Sequence, residues 1–248
     1  MKVAIITTED LFYVRYFFEK FFAHAKEGAY ELSGITILPA FNKPLPALVK
    51  QMLGFYGLRY FLMMGFSHVW RKITGKTIED LAQKEAIPFV EVTSVNSPEY
   101  LKWLKENKID LIISIASPEI FKSELLATPP KGCINSHSAL LPENRGMMPV
   151  FWALYKRSKE LGVTIHTMES KLDSGDILMQ EIVANSGESL DAMILKTKEI
   201  SARLMHQTIE AMVTEEIKPI PMAKGGSYQT FPTPAQAKEF VTLGNRFF

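Results

Sequence analysis

Apolar positions fall along the chain in short continuous runs, separated by stretches whose apolar residues recur at helical spacing. Residues 3–7 (Val-Ala-Ile-Ile-Thr) read as a buried first strand, and Thr8, Glu9 and Asp10 supply cap and first-turn residues for a helix to about residue 25. A second strand spans 30–38. From residue 77 the rhythm is regular: a helix over 78–84, a short strand over 88–92, and a helix over 97–107 capped by Ser97 ahead of Pro98-Glu99. An apolar strand at 111–115 follows, then a short helix at 118–126 and a strand at 132–136. A helix over 149–158 opens with Pro149, and strands at 162–168 and 177–183 precede a long amphipathic helix over 190–214. The tail from residue 219 is rich in Pro, Gly and Thr and reads as an extended wrap with a short helix at 234–243. Strands alternating with helices predict an α/β fold, with a doubly wound, Rossmann-like, mostly parallel sheet in a single domain over 1–248.

Residues 43–76 break this rhythm. They are rich in Leu, Phe, Tyr and Met and predict one or two amphipathic helices. The default reading is an insertion that packs on the domain or forms a homodimer face. The sharper one is a groove for an apolar or lipid-linked substrate, or shallow contact with a membrane.

Composition narrows the class. The 248 residues are 47% hydrophobic and 22% charged, ordinary for a globular chain, and the net charge of +1 gives no bulk attraction to nucleic acid. One cysteine excludes an internal disulfide and fits a reducing cytoplasmic setting. The N-terminal apolar run is too short for a signal peptide, and the run over 60–70 is too short and too interrupted to span a bilayer. The first strand is followed by no glycine, so the dinucleotide-binding fingerprint is absent.

The candidate chemistry centres on residues 133–146. There an apolar strand delivers Asn135 and His137 two residues apart, on one face, just before a turn through Pro142 and Gly146. An amide can hold a developing oxyanion, and an imidazole can move a proton. Of the other histidines, His24 and His206 read as surface residues, His68 lies in the insertion, and His166 alternates with Thr164 and Met168 as a packing residue. Cys133 reads as a small buried hydrophobe. With no second Cys or His at ligand spacing, no metal is expected. The polar turn 169–176 ends in Asp173-Ser174-Gly175-Asp176. It could be a solvated hairpin or could supply a carboxylate to an imidazole.

Residues 131–181 resemble the folate-dependent formyltransferase family. The likeness runs through Asn135-Ser136-His137, Ala139-Leu140-Leu141-Pro142, Arg145-Gly146, Trp152-Ala153, Gly162-Val163-Thr164-Ile165-His166 and Leu172-Asp173-Ser174-Gly175-Asp176-Ile177-Leu178-Met179-Gln180, all in the family's order. The resemblance implies a catalytic trio of Asn135, His137 and Asp173 and N10-formyltetrahydrofolate as formyl donor. It also implies a pterin held mainly by backbone groups of two loops, Ser117-Pro118-Glu119-Ile120 and Glu169-Ser170-Lys171-Leu172, with Leu140 beside them.

The family's branches differ in the acceptor. Methionyl-tRNA formyltransferases add a C-terminal tRNA-holding domain, and this sequence, ending at Phe248 without a basic excess, is expected not to use tRNA. Glycinamide ribonucleotide formyltransferases hold a phosphate with a Gly-rich loop where this chain has Thr7-Thr8-Glu9-Asp10. Formyltetrahydrofolate hydrolases carry an N-terminal regulatory domain. The expectation that remains is a stand-alone N-formyltransferase acting on a small-molecule primary amine, that of an amino sugar, often nucleotide-linked. A folate-binding protein without turnover is the alternative from another class.

Overall fold

The computed structural model describes residues 1–39 and 44–248. Lys43, the first residue of the expected insertion, lies outside the described residues. The main sheet has six strands in the order β2-β1-β3-β4-β6-β7. These are β1 (Lys2–Thr8), β2 (Glu31–Leu38), β3 (Leu111–Ile115), β4 (Cys133–His137), β6 (Glu160–Thr167) and β7 (Ile177–Ala184). A two-stranded sheet pairs β5 (Arg145–Gly146) with β8 (Tyr228–Gln229). The helices are α1 (Tyr13–Ala25), α2 (Leu45–Ile73), α3 (Ile78–Lys84), α4 (Pro98–Glu106), α5 (Ser123–Ala127), α6 (Pro149–Tyr155), α7 (Leu190–Val213) and α8 (Pro234–Thr242).

The first four strands of the order pair in parallel; β6 then runs antiparallel to β4, and β7 antiparallel to β6. The sheet is therefore mostly parallel with a hairpin at one edge. Alternate residues of the central strands serve two cores, as a sheet covered on both faces requires. Val3, Ile5, Ile113, Ile134 and Ile165 pack toward Phe17, Phe21, Met205 and Ile209 of α1 and α7. Ala4, Ile6, Ile112 and Cys133 pack toward Tyr100, Leu104 and Leu125 of α4 and α5. Local signals set the helix starts. The Asp10 carboxylate accepts the N–H groups of Phe12 and Tyr13 at 2.8 Å each. Thr77 and Thr233 form capping boxes, and Ser97 and Ser189 cap α4 and α7.

Two expected elements differ. Among the described residues the strand at 88–92 is a single bridge, Ile35 to Phe89, linked to the sheet by Ile35 N–H to the Pro88 carbonyl and Val90 N–H to the Ile35 carbonyl. The helix at 118–126 begins only at Ser123. The preceding loop is held open by Glu119, whose carboxylate accepts from Val95 N–H (3.0 Å), Asn96 Nδ2 (2.9 Å) and the Ser94 hydroxyl.

The insertion is a long helix interrupted at Gly57, which lies at φ 74°, ψ 166°. Its first half is anchored. Phe55 is 3% exposed and its ring lies 5.1–5.5 Å from those of Phe151, Phe231 and Phe247. This third core, with Phe240 and Met193, ties α2, α6, α7 and α8 together. Phe55→Ala should cost about 3–5 kcal/mol, read as a lowered denaturation midpoint with an unchanged denaturant slope. A midpoint equal to wild type would show that α2 does not depend on this anchor.

Candidate active site

Cys133, Asn135 and His137 alternate along β4 on the α4–α5 face, and Ile134 serves the other. Burial pushes the Cys133 thiol up to about 12, which suits a packing residue. His137 is 7% exposed, and its Nε2–H donates to the Asn144 carbonyl at 2.9 Å. That bond turns Nδ1 toward the Asp173 carboxylate, 3.8 Å from Oδ1.

The Asn144 carbonyl is itself held in place. Asn144 sits at φ 53°, its N–H donates to Ser227 Oγ (3.0 Å), and its side-chain oxygen accepts from Lys156 Nζ (2.7 Å). The tail straps this turn. Arg145 N–H donates to the Ser227 carbonyl and Met147 N–H to the Gln229 carbonyl, both at 2.9 Å. Gly226, at φ 78°, passes so close that a Cβ there would stand 2.1 Å from the Pro142 oxygen. The C-terminal wrap thus fixes the turn that orients His137.

Asp173 arrives from the β6–β7 turn at φ 48°. Its Oδ2 accepts the Gly146 N–H at 2.8 Å, which leaves Oδ1 between two imidazoles, 3.8 Å from His137 Nδ1 and 3.7 Å from His166 Nε2. The turn folds tightly back on β6. Thr167 N–H donates to the Asp176 carbonyl at 2.9 Å, and a Cβ on Gly175 would lie 1.8 Å from the Thr167 oxygen.

His166 is part of this cluster. It is paired across the strands with Asn135 and is 2% exposed. Its Nδ1–H donates to the Thr167 carbonyl at 2.7 Å, so Nε2 keeps a lone pair and accepts from Asn135 Nδ2 at 3.1 Å. Burial lowers its pKa from 6.5 to about 4, only partly offset by the Thr167 carbonyl and the Asp173 charge. The ring is therefore neutral near pH 7. It aims one Asn135 N–H at itself and leaves the other, with the amide oxygen, for a reactant.

Asn135, His137 and Asp173 are thus brought together as expected, and His166 joins them rather than serving packing alone. The alternation of β6 gave no hint of this. The available signal was the Gly162-to-His166 motif itself, whose histidine falls opposite Asn135 only in an antiparallel register. The two loops expected to hold a pterin lie on opposite flanks of β4: 117–120 follows β3, and 169–172 follows β6. Glu119 is engaged by Ser94, Val95 and Asn96, whereas Glu169, Ser170, Lys171 and Leu172 are exposed. Ser117 Oγ accepts the Glu119 N–H (3.3 Å), Pro118 is half-buried, and Ile120 and Leu172 offer apolar side chains 61% and 51% exposed. Leu140 packs against Gly162 and borders a cavity of about 300 Å³ that also meets Ser138, Asn144 and Lys156.

The chain is 33% identical over 152 residues to methionyl-tRNA formyltransferase of Geobacillus thermodenitrificans, which covers 61% of this chain and 48% of that protein. The same protein of Desulfotalea psychrophila is 33% identical over 143 residues, 57% of this chain and 44% of its own. The chain therefore spans about half the length of the curated relatives it matches. Among solved structures, a sugar N-formyltransferase from a Shewanella species superposes with a TM-score of 0.59 at 20% identity, over 92% of this chain and 76% of that one. A phosphoribosylglycinamide formyltransferase from Bacillus halodurans superposes at 0.62 and 20% identity, over 87% and 97%. At such identities these two show a shared fold. Residues 71–209, more than half of the sequence and all of the candidate cluster, match the formyl transferase family, and the chain belongs to it.

Proposed function

We propose that this chain transfers the formyl group of N10-formyltetrahydrofolate to the primary amine of an amino sugar, in nucleotide-linked form. The observation that carries the reading is the cluster in which His137 and a neutral His166 face Asp173 while His166 accepts from the Asn135 amide. The amine nitrogen attacks the formyl carbon and forms the new C–N bond, while the carbonyl electrons move onto oxygen. The free N–H of Asn135 donates to that oxygen, a kind of contact worth about 2.7–4 kcal/mol in other oxyanion holes. Nδ1 of His137 and the Asp173 carboxylate take the proton released by the amine and return it to N10 as its bond to carbon breaks. His166 positions Asn135. As the family resemblance implies, donor contacts with the loops 117–120 and 169–172 rest on backbone groups, and the Glu119 carboxylate is already engaged within the protein.

The amino-sugar acceptor is supported by a net charge of only +1, which gives no bulk attraction to tRNA, and by the presence of a sugar N-formyltransferase among the proteins that share the fold. A second reading, transfer to methionyl-tRNA, is favoured by the names of the curated relatives. An acceptor panel separates them. Tetrahydrofolate release should be stimulated by amino-sugar nucleotides and not by charged initiator tRNA, and the reverse result would replace the first reading with the second. Release without any amine would indicate hydrolysis, and donor binding without release would indicate a binding protein.

Asn135→Ala, His137→Ala and Asp173→Ala should each lower kcat by at least about tenfold in folded protein. Turnover unchanged in His137→Ala would overturn the assignment. His166 makes a prediction about pH. Its folded pKa lies below its unfolded value, so the unfolded chain binds a proton that the folded chain refuses. The stability this contributes is present above pH 6.5 and is lost as pH falls toward 4. Urea denaturation across that window should show a shallower acid loss in His166→Gln than in wild type, together with a lower kcat from a misaligned Asn135. Parallel curves would show that His166 is not the group responsible.

A further inference from the structure

After Gly57, α2 presents its most apolar side outward. Leu58, Leu62, Met63, Phe66, Val69, Trp70 and Ile73 fall within an arc of about 140° at helical spacing, and they are 47–75% exposed. The side turned toward the protein holds Tyr60, Phe61, Met64, Ser67 and Arg71, all only half-buried. A face this apolar, left open on a helix that is otherwise docked, marks a surface with a partner. Most of this arc lies before residue 71, where the family match begins.

Charge indicates what the partner is. From residue 32 to residue 78 the sequence contains no Asp or Glu, while Lys50, Arg59, Arg71, Lys72 and Lys76 lie in or just after α2. The chain carries only +1 overall, so the cationic character is concentrated on this helix and the remainder is net negative. Arg59 sits inside the apolar arc, its guanidinium 5.8 Å from the Tyr60 ring, and Lys72 borders it. A second copy docking face to face by two-fold symmetry would bring these cations onto the equally cationic, acid-free face of the other copy. An anionic lipid surface instead receives the apolar residues below its headgroups and the Lys and Arg heads among its phosphates. Among the described residues no helix is long and apolar enough to cross a membrane, so the helix would lie in the interface plane.

We propose that the second half of α2 docks this protein on an anionic bilayer, independently of the acceptor assigned above. The full chain should co-sediment with phosphatidylcholine vesicles containing 30% phosphatidylglycerol, and far less with pure phosphatidylcholine. Added salt should weaken the binding. Leu62→Ser/Phe66→Ser and, separately, Arg59→Gln/Lys72→Gln should each lower the vesicle partition coefficient about tenfold or more. These side chains are exposed, so circular dichroism and formyl transfer in solution should stay at wild-type levels. Brominated lipid should quench Trp70 fluorescence, measured as the difference from Trp70→Phe. Absence of binding to the anionic vesicles overturns the proposal, as does binding that neither double variant weakens. Sedimentation as a dimer that Leu62→Ser/Phe66→Ser converts to monomer, with no vesicle binding, would replace the membrane with a second copy of the chain.

Discussion

The pairing of Asn135 with His166 across β4 and β6 is the constraint on which the rest of the candidate site depends. It exists only because β6 runs against β4, the first of the two antiparallel pairings at this edge of the sheet. The reversal sets a buried imidazole against a carboxamide. Burial strips that imidazole of its proton, and the neutral ring accepts where a charged one would have to donate. The amide is thereby oriented by a group that brings no charge of its own into the cluster. The same reversal turns the chain back through a hairpin, and its tight turn carries Asp173 over the face from which Asn135 and His137 project.

The other half of the site is held from a distance in sequence. His137 is aimed by the Asn144 carbonyl, and Asn144 is held by Lys156 and by Ser227 of the tail. Gly146 serves two partners at once. Its N–H fixes Asp173, and its strand pairs with residues 228 and 229. A carboxylate and an imidazole that must stay within about 4 Å of one another without collapsing into a contact pair need such external restraint. Here it comes from backbone groups, whose positions the tail and the two turns over-determine.

Much of the fold is legible in the sequence, because short two-sided strands and capped helices are local facts. Four of the five residues over 111–115 are apolar, and all five are buried, because both faces of that strand are covered. Ser97, Thr77 and Thr233 announce their helices by side chains that reach only three residues. The expectations that failed are those where a distant partner decides. Residues 118–122 have helical composition, but Glu119 is spent on Ser94, Val95 and Asn96. Residues 88–92 have strand composition, but they meet the sheet at a single bridge.

The sequence by itself determined the residue types of the candidate site, their order, and the face that Asn135 shares with His137, since a strand's period of two needs no tertiary information. It also predicted one or two amphipathic helices over residues 43–76, a stretch that contains no acidic residue. Only the tertiary structure decided that His166 belongs to the site, that the tail braces His137, and that the helix turns its apolar side to solvent. Each of these is a relation between segments far apart in the chain. Register, strap and docking orientation are set by which surfaces remain to be covered once the local elements have formed, and no local periodicity encodes that.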